Sequence, residues 1–119
     1  AATAFTRVAS VAELDAAIAS AGGRRVMLDF YADWCVSCIE MEKLTFTDPK
    51  VKAELDQMLL LQADVTANNE DHKALLKRFG LFGPPGILFF GPDGNEIRSA
   101  RVIGFQSADR FLQSLQRTK

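Results

Sequence analysis

Cys35 and Cys38 are the only cysteines in the chain, and they stand in the stretch Asp33-Trp34-Cys35-Val36-Ser37-Cys38. A sulfur pair at this spacing can be a structural cross-link, half of a metal site, or a reagent that cycles between dithiol and disulfide. As a cross-link it would close a very short loop, which removes little entropy from the unfolded chain. As a zinc site it would need further ligands, and the remaining soft candidate is the single histidine, His72, on a different predicted helix. His72 reads there as a helix-surface or partly packed residue. The redox use has positive support. If Cys35 lies at the first turn of a helix, unpaired N–H groups and the helix dipole stabilise its thiolate, the nucleophilic form. Cys38, on the same face, can then attack the mixed disulfide and release the partner. In that assignment Cys35 attacks through an exposed sulfur and Cys38 resolves.

The elements that must hold these sulfurs are legible in the pattern. Ser10-Val11-Ala12-Glu13 has capping-box spacing, and Val11, Leu14 and Ile18 follow on one helical face before Gly22-Gly23. Val26 to Tyr31 and Met58 to Val65 are apolar runs of strand length, as expected for strands covered on both faces. Between them a helical pattern carries Cys35, Cys38, Met41 and Leu44, and restarts at Asp48-Pro49. Asn68 is expected to open a helix that carries His72, Leu75, Leu76 and Phe79 and ends at Gly80. Ile87 to Phe90, a turn at Gly91-Pro92-Asp93-Gly94, and Glu96 to Phe105 read as an antiparallel hairpin, and Ser107 caps a last helix. With Phe5 to Val8 as a first strand, the order is β-α-β-α-β-α-β-β-α. That order predicts an α/β domain with a mixed sheet and helices on both faces. Chemistry in such sheets gathers where strand ends meet helix starts, which is where Cys35 falls.

Composition narrows the function further. The chain has 119 residues, 48% of them hydrophobic, which suits one domain with its own core. Fourteen Lys and Arg against fifteen Asp and Glu leave a net charge of −1, with no basic stripe to follow a phosphate backbone, so nucleic acid is not an expected partner. Apolar runs such as Gly86 to Phe90 are far below the roughly 20 residues that cross a bilayer. The start at Ala1-Ala2-Thr3, without Met or a signal-peptide pattern, suggests a mature product or an excised domain.

With these residues in view, the chain resembles the thioredoxin superfamily: Trp34-Cys35-Val36-Ser37-Cys38 follows a hydrophobic strand and Pro85 opens a later one. More narrowly it is similar to the C-terminal periplasmic domains of the DsbD family of thiol:disulfide interchange proteins. That likeness lies in Met27 to Cys35, Glu40 to Lys43, Thr45 to Pro49, Ala63 to Asn68, Gly86 to Phe90 and Arg101 to Phe105. The resemblance implies a thioredoxin fold over residues 1–119 as a single domain of a larger bacterial inner-membrane protein, located in the periplasm. It also implies a protein-disulfide reductase relaying electrons from the parent's membrane-embedded domain to its N-terminal periplasmic domain, and onward to disulfide isomerases and cytochrome-maturation proteins. No cofactor or metal is expected, and the isolated domain should be a monomer. Three alternatives remain open: a free-standing periplasmic thioredoxin-like reductase, an oxidase, and a thioredoxin-fold binding module with incidental cysteines.

Site residues follow residue by residue. Asp29 sits in the middle of a buried-looking strand, where a lone carboxylate is costly to ionise. It is either a strand-end group reaching solvent or, by resemblance, the buried acid that moves protons to and from the cysteines. Glu42, one helical turn after Cys38, matches an acid of the family or belongs to a solvated face. Together these carboxylates are expected to oppose the helix terminus and leave Cys35 mostly thiol at neutral pH. Trp34 and Tyr31 read as half core, half rim of a docking surface, and Phe82 as rim or core. Pro85 matches the superfamily's proline, usually cis, beside which a partner lays an extended segment. The preceding Pro84 has no N–H to offer that segment.

Overall fold

The computed structural model describes residues 4–119, so the expectation drawn from Ala1-Ala2-Thr3 lies outside it. The centre is a parallel pair, β2 (Val26–Tyr31) and β3 (Leu59–Asp64), in register from Val26 opposite Leu59 to Tyr31 opposite Asp64. Outside β3 lies the parallel edge strand β1 (Thr6–Arg7), and on the other side of β2 come the antiparallel β4 (Gly86–Phe90) and β5 (Val102–Ile103). The spatial order is β1-β3-β2-β4-β5. This is the expected mixed sheet.

Both faces of β2 are covered, which is why its sequence is an unbroken apolar run rather than an alternation. Val26, Leu28 and Phe30 pack on one side with Leu61, Leu75, Leu88 and both cysteines. Met27 joins Leu60, Ile87, Phe89 and Phe111 on the other. Residues such as Phe30, Phe89 and Phe111 are wholly buried, each worth about 1.5–3 kcal/mol relative to exposure. Helices α1 (Val11–Ala19) and α4 (Glu70–Arg78) pack together, with Leu14, Leu75 and Leu76 in the first cluster. On the opposite face α3 (Pro49–Leu55) meets α5 (Ala108–Gln116) through Val51, Leu55 and Leu115 in the second. The caps are as read at Ser10, Asp48 and Ser107, whose side chains accept the N–H groups of Glu13, of Lys50 and Val51, and of Arg110.

Four expectations are corrected. Asn69, not Asn68, caps α4 by accepting the His72 N–H, while Asn68 occupies the left-handed region at φ 50° that asparagine tolerates. His72 is buried rather than on the surface, because it shares the inward face of α4 with Leu75 and Leu76, and its Nδ1 has no partner among the described residues. The helix that starts at Val36 runs as α2 (Val36–Glu40) and then widens into a π turn, Met41–Thr45. The wider turn shifts the inward face from Leu44 to Thr45, leaving Leu44 62% exposed and Thr45 fully buried. Finally, the hairpin partner of β4 is not one long strand. An isolated bridge at Glu96 is followed by a 3-10 turn, Arg98–Ala100, and only then by β5. Arg101 forms a paired ion contact with Glu96 and donates to the Phe79 carbonyl, and Ala100 turns into the core. Five extended residues would span about 16 Å, so that ion pair requires the chain to fold back.

Candidate active site

β2 delivers the chain to the sulfurs. After Tyr31 the backbone turns, with Cys35 N–H donating to Ala32 O at 3.0 Å, and Cys35 becomes the N-cap of α2. Its Sγ accepts the Cys38 N–H at 3.2 Å, an interaction that places the sulfur on the unpaired donors of the helix start. Cys38 Sγ lies 3.7 Å from the Phe30 carbonyl, on the core side. The two residues are joined as a disulfide with Cα atoms 5.3 Å apart. Cys35 is 6% exposed and Cys38 4%, so the expectation of an exposed attacking sulfur is corrected. In the disulfide form Cys35 is tucked against the first cluster, and a reaction partner must fit closely to reach it.

The loop bearing Cys35 is latched from the turn that follows β3. The Thr66 hydroxyl accepts the Asp33 N–H at 2.9 Å, and the Thr66 carbonyl accepts from Trp34 Nε1 at 3.2 Å. Thr66 is itself held by Asp64 through its hydroxyl and N–H, and Asp64 by Arg7 of β1 at 2.9 Å. Partial burial would raise the Asp64 carboxyl, but these hydrogen bonds and the Arg7 charge outweigh it and hold the group below its ordinary value. Trp34 is therefore anchored at its N–H while most of its ring stays exposed. Tyr31 is half-buried, and partial burial together with Asp33 raises its phenol.

Asp29 faces Gln62 across the β2–β3 ladder. It is buried, which excludes the solvent-reaching alternative, and burial pushes its carboxyl from 3.8 up to about 7; the Gln62 hydrogen bond opposes this, the Glu42 charge adds to it, and Arg7 opposes it. Gln62 Nε2 donates at 3.2 Å to Asp29 Oδ2 and at 3.2 Å to Glu42 Oε2. The π turn thus points Glu42 back to the sheet, half-buried, instead of into solvent. The hydrogen-bond partner of Asp29 is this amide, not either sulfur.

The Pro84–Pro85 peptide is cis, and it sits where β4 begins, with Gly86 opposite Phe30. It therefore lies beside the end of β2 that leads to Cys35. Gly86 is packed closely: a Cβ added there would stand 3.1 Å from Leu81 Cδ1, so a side chain at this position requires Leu81 to shift. Phe82 is fully exposed, which removes the core alternative for it. Sequence reasoning did not single out Gln62, Asp64, Thr66 or Arg7. The signal available was Gln62 itself, an amide inside the apolar run of β3.

The fold and site can now be set beside known proteins. A family model described as a thioredoxin-like domain matches residues 12–119. The crystal structure of the Neisseria meningitidis DsbD C-terminal domain in its oxidised form superposes with a TM-score of 0.81 at 41% identity, covering 96% of this chain and 100% of that one. The chain belongs to the thioredoxin-like family, and within it to the DsbD C-terminal domains. The reduced form of the same Neisseria domain gives a TM-score of 0.80. The thiol:disulfide interchange protein DsbD of Ralstonia nicotianae is 61% identical over 95% of this chain, and that of Yersinia pestis 58% over 96%. The chain spans 19% of the length of each of those two relatives. In this DsbD-type C-terminal domain Cys35 and Cys38 are joined as a disulfide at the start of α2. Among the described residues no helix is long and apolar enough to cross a membrane.

Proposed function

We propose that this domain is the periplasmic relay of a DsbD-type inner-membrane protein, a reductase that takes two electrons from the parent's membrane-embedded domain and gives them to its N-terminal periplasmic domain. The observation that carries the reading is the disulfide at the helix start, with Cys35 Sγ on the Cys38 N–H and Cys38 behind it. In the dithiol form the Cys35 thiol gives up its proton and, as thiolate, attacks one sulfur of the partner's disulfide. A Cys35–partner bond forms, the partner's disulfide breaks, and its leaving sulfur takes a proton. Cys38 then loses its proton and attacks Cys35 Sγ; the internal disulfide forms and the second partner sulfur leaves and is protonated. Two electrons and two protons have passed. Asp29, with its carboxyl near 7, takes up the Cys38 proton, and Glu42 and Gln62 set how readily it does so. Trp34, Tyr31, Phe82 and the Pro84–Pro85 turn form the docking rim, where Pro84 offers a carbonyl but no N–H. Cytochrome-maturation proteins and disulfide isomerases are the downstream recipients in this reading.

The test is a trap. Cys38→Ser removes the resolving sulfur, so a mixed disulfide between Cys35 and the partner should accumulate in periplasmic extracts and disappear in Cys35→Ser. Recovery of the parent's N-terminal domain supports the relay; no Cys35-dependent adduct with it overturns that assignment.

A further inference from the structure

A groove of about 480 Å³ runs between α4 and the segment that follows it, lined by Asn68, Lys73, Leu76, Lys77, Leu81 and Phe82. Two of its lining residues are close in sequence to residues of the candidate site. Asn68 lies two residues after Thr66, which latches the Cys35 loop, and Phe82 lies three residues before Pro85, beside the end of β2. The groove differs in character from the rest of the site. Leu76 is buried, Leu81 half-buried and Phe82 fully exposed, giving an apolar floor with an aromatic rim. Lys73 and Lys77, one helical turn apart on α4, add two exposed cations. Lys77 forms no ion pair among the described residues, and Lys73 meets only the exposed Glu70, at 3.5 Å. Elsewhere around the site the acidic side chains are the exposed Asp33 of the Cys35 loop, the half-buried Glu42 of the π turn, and Asp64 at the end of β3, which pairs with Arg7.

We propose that this groove sets partner specificity by receiving an acidic, apolar-tipped segment of the polypeptide whose disulfide is exchanged. The lysines attract its carboxylates, the floor takes its apolar side chain, and the acidic side chains elsewhere around the site repel it, so one orientation over Cys35 is favoured. The proposal rests on the exchange reading above and extends it to the chemistry of the partner.

The test uses the reduced domain and two synthetic peptides, each with one cysteine held in a mixed disulfide with 2-mercaptoethanol. One peptide flanks that cysteine with Leu, Asp and Glu, the other with Leu and two Lys. Each turnover oxidises Cys35 and Cys38 to the disulfide and releases one peptide thiol and one mercaptoethanol, so thiol release gives the rate. The acidic peptide should react about tenfold faster at low salt, the worth of two modest ion pairs. The preference should shrink at about 0.5 M salt, where the Debye length is only a few ångströms. Lys73→Glu with Lys77→Glu should abolish or invert it. Equal rates for the two peptides, or a preference that survives the double substitution, overturn the groove. If the wild-type domain reduces bis(2-hydroxyethyl) disulfide but treats the peptides alike, the groove alone fails. If it reduces none of the three, the exchange reading fails and the groove with it.

Discussion

Asp29 and Glu42 share one donor: the side-chain amide of Gln62 stands 3.2 Å from a carboxylate oxygen of each. The three groups come from β2, the π turn and β3, so a charge placed on one acid is felt by the other across an amide that can satisfy both only in part. Burial in this set raises the Asp29 carboxyl to about 7, and the Glu42 charge adds to that rise.

Gln62→Leu keeps the buried volume and removes the donor. Because that hydrogen bond is the main influence holding Asp29 down against burial, its midpoint should rise above about 7. Carboxyl carbon chemical shifts of Asp29 against pH measure this. A midpoint that stays put or falls would remove Gln62 from the account.

Asp29 also makes stability depend on pH, with a sign opposite to that of a salt-bridged carboxylate. Its folded value, about 7, lies above its unfolded value of 3.8, so the folded state binds more protons between them. Stability is therefore highest below about 4, declines as pH rises toward 7, and levels off above, by at most about 4 kcal/mol from this group. Asp29→Asn should lack this decline, so with the disulfide intact its stability relative to wild type should improve between pH 4.5 and 8 in denaturant titrations. Parallel curves would contradict the assignment.

The same substitution bears on Cys35. Removing a carboxylate that disfavours a second negative charge should lower the Cys35 pKa, read as thiolate absorbance near 240 nm in the reduced protein (about that wavelength). An unchanged or raised value would refute the electrostatic role of Asp29.

Thr66→Val removes the hydroxyl that accepts the Asp33 N–H and donates to Asp64. The expected cost is about 1–2 kcal/mol, with Thr66→Ser close to wild type. Trp34 is the single tryptophan, so its emission reports the loop directly and should shift in the valine variant alone. Identical spectra for both variants would mean the latch does not hold the loop.

Gly86→Ala brings a Cβ to 3.1 Å from Leu81 Cδ1, so it should displace that side chain and destabilise by up to about 1 kcal/mol through overpacking. Leu81→Ala in the same chain should make the two costs less than additive, because the shortened side chain vacates the clash. Strict additivity in a double-mutant cycle would show that Leu81 is not what excludes a side chain there.

How much of this could be read from residues alone follows from how local each feature is. The central strands, the caps at Ser10, Asp48 and Ser107, and the position of Cys35 depend on runs and spacings within a few residues, and they were legible. The β4 partner was not, because Glu96 to Phe105 has strand-like composition while the Glu96–Arg101 ion pair and the inward turn of Ala100 are tertiary choices. Leu44 faces solvent although the usual helical period turns it inward, because nothing local announces the π turn. Asp29 and Glu42 could be nominated individually, but their link through Gln62 depends on the parallel register of β2 and β3, which no short stretch encodes. The Thr66 latch is hidden for the same reason, since it joins residues 33 positions apart.

The π turn also has a consequence for how this segment tolerates insertion and deletion. Met41 and Thr45 are clasped by Gln106, whose N–H reaches the Met41 thioether and whose carbonyl accepts the Thr45 hydroxyl. Dropping one residue from Met41–Thr45 would return the helix to its ordinary winding and rotate that clasp out of reach. The length of this stretch is therefore under as tight a constraint as its chemistry, even though most of its side chains never approach a sulfur.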